Sequence, residues 1–248
     1  GLQEVGVGLS RQLWGRAAVV LRDLIGIATT AVGSSQEPQL GAAVRLFDIG
    51  TYVCFIGGYM HQVPEVVIRG LRLARRLGPS ALLAAFYANA AVLVGAAGLT
   101  GVSRRLNQLA LTMAEEIGDP TALGRCQILC SVALRMGGDD VTAARQTDLC
   151  LLQRGPWLPT LDFLFGVVDL THNYHFRGLL QKAHECAQLG EQRIRQDQFP
   201  LVLTSTLAPV YAAVGRHAEA RHYREVCRQY FDHDFTPLHR PPYLTSRP

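Results

Sequence analysis

Few side chains in this sequence stand at spacings that chemistry demands. Cys126 and Cys130 share a helix face four residues apart, as a redox or metal pair would, but no second pair supports them. His172 and His175 could aim two ligands to one side, and His184-x-Cys186 lies nearby in sequence. Together they give no four-ligand pattern. His217 and His222 are offset by five residues rather than the four of a zinc-protease helix, with Glu219 misplaced between them. Asp139-Asp140 follows Gly137-Gly138. Paired carboxylates could do acid–base work or hold a cation, but Asp at the start of a helix reads first as an N-cap. There is no Gly-x-Ser-x-Gly elbow, Walker loop or Gly-x-Gly-x-x-Gly fingerprint, and Gly6-x-Gly8 lacks the third glycine. No catalytic residue, metal site or cofactor is expected.

The chain that must position any site has 248 residues, 48% hydrophobic and 18% charged. That excludes disorder and leaves ample material for a core. The net charge of +4 is too mild for strong polyanion binding, so no nucleic-acid partner is expected. Lys182 is the only lysine, which points to genomic base composition rather than to chemistry. Most of the six cysteines sit inside helical patterns without framework spacing, and they read as free thiols of a cytoplasmic protein. The chain begins at Gly1 without a leader-like apolar run, and reads as a piece of a larger protein. Residues 81–102 carry no charge and are flanked by Arg75-Arg76 and Arg104-Arg105, so a membrane span competes with a buried helix. Gly95, Gly98, Gly101 and the mid-run Asn89 favour burial between neighbouring helices.

Prolines organise the chain. Pro38, Pro79, Pro120, Pro159, Pro200 and Pro241 recur about every 41 residues, each suited to the first turn of a helix. Breaks follow at Gly57-Gly58, Gly98 with Gly101, Gly137-Gly138, near Asn173–Gly178 and at Gly215. Leu73-Ala74-Arg75-Arg76-Leu77-Gly78-Pro79 parallels Met113-Ala114-Glu115-Glu116-Ile117-Gly118-Asp119-Pro120. Leu106, Leu109, Ala110, Met113 and Ile117 form an apolar helical stripe, and strand signals are nearly absent. The expected fold is all-α: a right-handed α-solenoid of five to six helix hairpins forming one domain over 1–240. Its hairpins would be 1–37, 38–78, 79–119, 120–158, 159–199 and 200–240, with a Pro-rich tail at 241–248.

Val210-Tyr211-Ala212-Ala213-Val214-Gly215-Arg216-His217-Ala218-Glu219-Ala220 resembles the core of a tetratricopeptide repeat, with Tyr211, Gly215 and Ala220 at motif positions. Ala74 and Pro79 resemble that motif's late alanine and closing proline, although the period exceeds the usual 34. The long period is similar to the degenerate arrays of large bacterial signal-transduction ATPases and of cyclase-type or kinase-linked regulators. The resemblance implies a non-catalytic interaction or sensor module. It would bind a protein or peptide in a concave groove and serve attached ATPase, kinase or cyclase domains. First helices line that groove, so its polar residues are the binding candidates: Asn89, Gln127, Ser131, Arg135, Asp162, Asp169 and Asn173. The competing readings are an all-α enzyme with an apolar pocket between helices, and a helical membrane protein.

Overall fold

The computed structural model describes residues 37–56, 59–197 and 201–234. The hairpin expected at 1–37 and the tail expected at 241–248 lie outside the described residues, Glu37 apart. Regular structure among the described residues is all helical. The helices are α1 (Glu37–Ile56), α2 (Val63–Leu77), α3 (Ala81–Ala96), α4 (Thr100–Ile117) and α5 (Pro120–Met136). They continue with α6 (Asp140–Arg154), a 3-10 turn (Gly155–Trp157), α7 (Thr160–Phe176), α8 (Leu180–Asp197), α9 (Leu201–Ala213) and α10 (His217–Asp234). They form two compact units, dividing within α6 between Ala143 and Ala144.

One turn recurs along the chain. α3, α5, α7 and α9 each end on a glycine in the left-handed region, at Gly98 (φ 79°), Gly138 (φ 86°), Gly178 (φ 72°) and Gly215 (φ 79°). Each glycine N–H donates three residues back, to Gly95, Arg135, His175 and Ala212. The next residue in each case donates five back: Leu99 to Val94 at 2.9 Å, Asp139 to Leu134 at 3.0 Å, Leu179 to Tyr174 at 2.9 Å and Arg216 to Tyr211 at 2.8 Å. This is the Schellman pattern, which satisfies carbonyls at a helix end and needs a residue free of Cβ strain. The following helix then starts with a small buried residue, Ser103, Ala143, Ala183 or Ala220, four positions after the turn. The first three glycines are 40 residues apart and the last is 37 further on. A second glycine turn, at Gly78 (φ 90°) and Gly118 (φ 73°), ends α2 and α4, over fully buried Ala74 and Ala114.

The prolines sit less uniformly than their spacing predicts. Pro120 opens α5 and Pro38 is the second residue of α1, but Pro79 and Pro159 precede their helices. There Ser80 caps α3 by accepting from Leu83 N–H at 3.2 Å, and Pro159 takes the cap position of α7. Asp139 caps α6, accepting from Thr142 N–H at 3.2 Å, so its carboxylate serves the helix start.

In the first unit α3 packs against α2, α4 and α5, and α4 against α5. Small side chains make this possible. Ala84, Ala114 and Cys126 form one layer, and Ala88, Ala110 and Cys130 another. A Cβ on Gly95 would meet the Ala133 carbonyl oxygen at 2.9 Å. Ser103 Oγ donates to Ala91 O at 2.9 Å, and Asn107 Nδ2 donates to Cys130 O at 3.3 Å. The apolar stripe of α4 is rotated from the expected one. Ser103, Leu106, Asn107, Ala110 and Ala114 are buried, while Leu109 and Ile117 are exposed, because close approach selects the small residues rather than the large ones. Residues 81–102 are not one helix. α3 ends at Ala96, and its 16 residues span about 24 Å against the ~30 Å of a hydrocarbon core. No helix among the described residues is long and apolar enough to cross a membrane.

An ion pair ties α1 to α5. Arg125 Nη1 donates to Asp48 Oδ2 at 2.8 Å and Nη2 to Oδ1 at 2.5 Å, with side chains only 15% and 12% exposed. The guanidinium also lies 4.9 Å from the Tyr52 ring centroid. In the second unit α7 packs on α8 and α9, and α9 on α8 and α10. Arg193 lies over the Phe163 ring at 5.5 Å and donates to Leu158 O at 3.3 Å.

A half-removed buried pair leaves a bare charge. Arg125→Met or Asp48→Leu alone is expected to lower unfolding free energy by about 3–5 kcal/mol, whereas the Arg125→Met, Asp48→Leu double variant recovers most of the loss. Urea denaturation of the four proteins checks it, and additive losses would contradict the pairing.

Candidate functional site

A cleft opens among α8, α9 and α10, with a volume of about 510 Å³. Its geometry begins with the recurring turn. Arg216 follows the turn glycine, and its N–H is bonded to Tyr211 O, which fixes the arginine beside that tyrosine. The guanidinium carbon lies 5.1 Å from the Tyr211 ring centroid, within cation–π range. The other three turns carry Val94 with Leu99, Leu134 with Asp139 and Tyr174 with Leu179 at these positions. The arginine-on-tyrosine arrangement therefore belongs to the last described turn.

Around it the neighbouring helices add a polar and aromatic set. Tyr223 stacks on buried Tyr211 with centroids 5.5 Å apart and rings 8° from parallel, and His184 meets Tyr211 edge-on at 5.1 Å. Tyr223 Oη donates to Glu191 Oε1. Arg216 Nε donates to Glu219 Oε1 at 2.8 Å, and Arg216 Nη1 lies 3.4 Å from His184 Nε2. Gln188 and His222 complete the polar lining. Burial, and then its hydrogen bond with Glu191, push the Tyr211 hydroxyl above the usual phenol range. The bond to Glu219 raises the Arg216 guanidinium. Glu219 is held below the usual carboxylate range, first by its own backbone hydrogen bond and then by Arg216. The lining holds no Ser, Thr or Cys nucleophile. Arg216 and Glu219 form an ion pair in it, an arrangement suited to recognising complementary polar groups.

The residues expected to line a concave face fall differently. Ser131 is fully buried, and its hydroxyl donates to Ile128 O at 2.7 Å in its own helix. Asp162, Asp169 and Asn173 are buried on α7, and Asn173 Oδ1 accepts from Arg177 Nη1 at 3.4 Å. Asn89 on α3 and Gln127 and Arg135 on α5 are half-buried. None of the seven lines the α8–α10 cleft. Sequence reasoning used Tyr211, Gly215 and Ala220 as repeat markers but did not single out Glu191, Arg216 or Tyr223. The one available signal was the arginine directly after a motif glycine.

The remaining reactive groups are inward. All six cysteines are free and buried. Burial raises the Cys130 thiol well above its usual value, with Cys126 adding to the effect, and takes Cys150 to about 11 and Cys186 to about 12. His172 and His175 lie beside the Phe176 ring, with centroids 6.0 and 5.9 Å away. Among the described residues no group of three or more His, Cys, Asp or Glu side chains is placed to hold a metal ion. No protein-family model matches the chain, and no curated protein matches it significantly.

Thiolate is the reacting form, so burial protects all six cysteines, and the raised pKa adds to this at Cys130, Cys150 and Cys186. At pH 8 a thiol reagent is expected to label the native chain at least about tenfold more slowly than the urea-unfolded chain, which yields all six thiols. Rapid labelling of Cys126 and Cys130 in the native chain would contradict their inert role.

Proposed function

We propose that this chain is a non-catalytic, tetratricopeptide-like interaction module, and that successive helix pairs stack as a right-handed α-solenoid. It would be a regulatory part of a larger bacterial signalling protein, with attached ATPase, kinase or cyclase domains. The observation that carries this reading is the glycine turn repeated at 98, 138 and 178 with the same hydrogen bonds, each followed by a small buried residue. A unit of that length cannot bury its apolar face alone, so neighbours must stack. Buried free thiols support a reducing, cytoplasmic setting.

The partner in this reading is a protein or peptide. The α8–α10 cleft is its first contact, because there an arginine, two glutamates, two histidines and two stacked tyrosines converge at one turn. A peptide bearing both a carboxylate and a basic side chain would exchange partners with the Arg216–Glu219 pair and stack on Tyr223. The half-buried Gln127 and Arg135 of α5 form a second set of contacts in the same reading.

Selection of a displayed random-peptide library on the chain tests it. Enriched peptides are expected to lose at least about tenfold in affinity for Arg216→Ala with Tyr223→Ala, the loss of two anchor side chains. The far smaller loss is expected for Leu109→Ala. No enrichment, or equal binding by all variants, would overturn the assignment.

A further inference from the structure

We propose that the exposed face of α2 is a second interaction surface, which receives a carboxylate-bearing helix of a partner protein, antiparallel to α2. This surface belongs to the first unit, whereas the α8–α10 cleft belongs to the second. It does not depend on the helical-repeat reading.

α2 divides sharply into two faces. Val67, Leu71 and Ala74 are buried, while Glu65, Arg69, Arg72 and Arg76 are exposed. Steps of four, three and four residues keep these charges in one row, within an arc of about 60° and a length of about 16 Å. Half-buried Ile68 and Leu73 border the row. Arg75 is engaged elsewhere. Its guanidinium lies 5.5 Å from the Tyr87 ring centroid on α3, and its Nε donates to Tyr87 Oη at 3.3 Å.

The helix dipole accounts for only part of this row. Glu65 in the first turn and Arg76 in the last suit the two ends of α2. Arg69 and Arg72 lie mid-helix, where that effect has faded. The surrounding sequence supplies little counter-charge. Between Asp48, which Arg125 holds, and Glu115, the only carboxylate is Glu65, against six arginines. Glu65 meets Arg69 at 2.6 Å, with the side chains 53% and 62% exposed. A pair so exposed is weak, and Arg69 can exchange it for another carboxylate at little cost.

The order of signs selects the occupant. A uniform polyanion, whether nucleic acid or anionic membrane, would set like charge against Glu65. A protein helix can place carboxylates opposite the three arginines and a base opposite Glu65. Running antiparallel to α2, it needs Glu or Asp at i, i+4 and i+7 and Lys or Arg at i+11. That order puts its acids toward its own N-terminus and its base toward its C-terminus, as its dipole favours. A parallel helix would need the opposite order. The planar fork of arginine takes a carboxylate bidentately, which adds geometric selectivity to charge.

Fluorescence anisotropy of the whole chain with labelled, Ala-based helical peptides tests the proposal. The matched peptide carries Glu at i, i+4 and i+7 and Lys at i+11. One control has the reversed sequence, and another has the same charges scattered around the helix. At low salt the matched peptide should bind at least about fivefold more tightly than either control. Arg72→Glu with Arg76→Glu should weaken it at least about tenfold, and a peptide with Lys at i and i+4 should recover binding to that variant. Arg145→Glu, at an exposed position of α6, should change nothing. No binding, equal binding of the three peptides, or a loss that the exchanged peptide does not recover would overturn the surface. Tighter binding of single-stranded DNA or phosphatidylserine vesicles, lost with the same two arginines, would overturn the assignment to a protein helix.

Discussion

Among the described residues, four helices end in the same turn around a residue that can sit at positive φ. At Gly98, Gly138, Gly178 and Gly215 the backbone turns through the left-handed region and returns two hydrogen bonds to the helix just ended. An L side chain there would crowd the following carbonyl, by roughly 1–2 kcal/mol per residue. The turn also fixes what comes next. It starts the following helix within a few residues and places a small side chain where the two helices meet. The cleft in the second unit inherits its geometry from the same device, since Arg216 holds its place beside Tyr211 through the turn's longer hydrogen bond.

Small residues turn that constraint into packing. α3 meets α4 and α5 through alanine, cysteine and glycine layers, so backbones come near enough for Ser103 and Asn107 to reach main-chain carbonyls of neighbouring helices. Such close contacts are sensitive to one added methyl, as at Gly95, where a Cβ would meet the Ala133 carbonyl oxygen at 2.9 Å. The apolar content that first suggested a membrane is used here to surround α3 on several sides. The Arg125–Asp48 pair complements these layers. It links α1 and α5, helices 77 residues apart at the contact, through one bidentate interaction.

Much of the fold was legible because helix breaks depend on local chemistry. The glycines at 98, 138, 178 and 215 and the stop–start signals at Gly78, Ser80, Gly118 and Asp119 mark helix ends directly. Proline spacing was a coarser guide, because proline fits both the cap and the first turn. The helix faces were less legible. Leu109 and Ile117 look like core residues but stand exposed, while Ser131 and Asn173 look like groove residues but are buried. Periodicity gives a face only to within a helical turn, and it does not say how close a neighbouring helix comes. Long-range partners were illegible altogether. Nothing near Arg125 in sequence points to Asp48, and nothing near Glu191 points to Tyr223.

The repeated left-handed glycine turn sets the helix pairing. Substituting alanine at Gly98, Gly138 and Gly178, and separately at Gly41 and Gly101, tests it directly by urea denaturation. All five have open space for a methyl group, so the backbone conformation alone distinguishes them. The first three variants should each lose about 1–2 kcal/mol of stability. The two helical controls should be unchanged or gain up to about 1 kcal/mol. Equal effects in the two sets, or stabilisation at Gly98, Gly138 and Gly178, would contradict the claim.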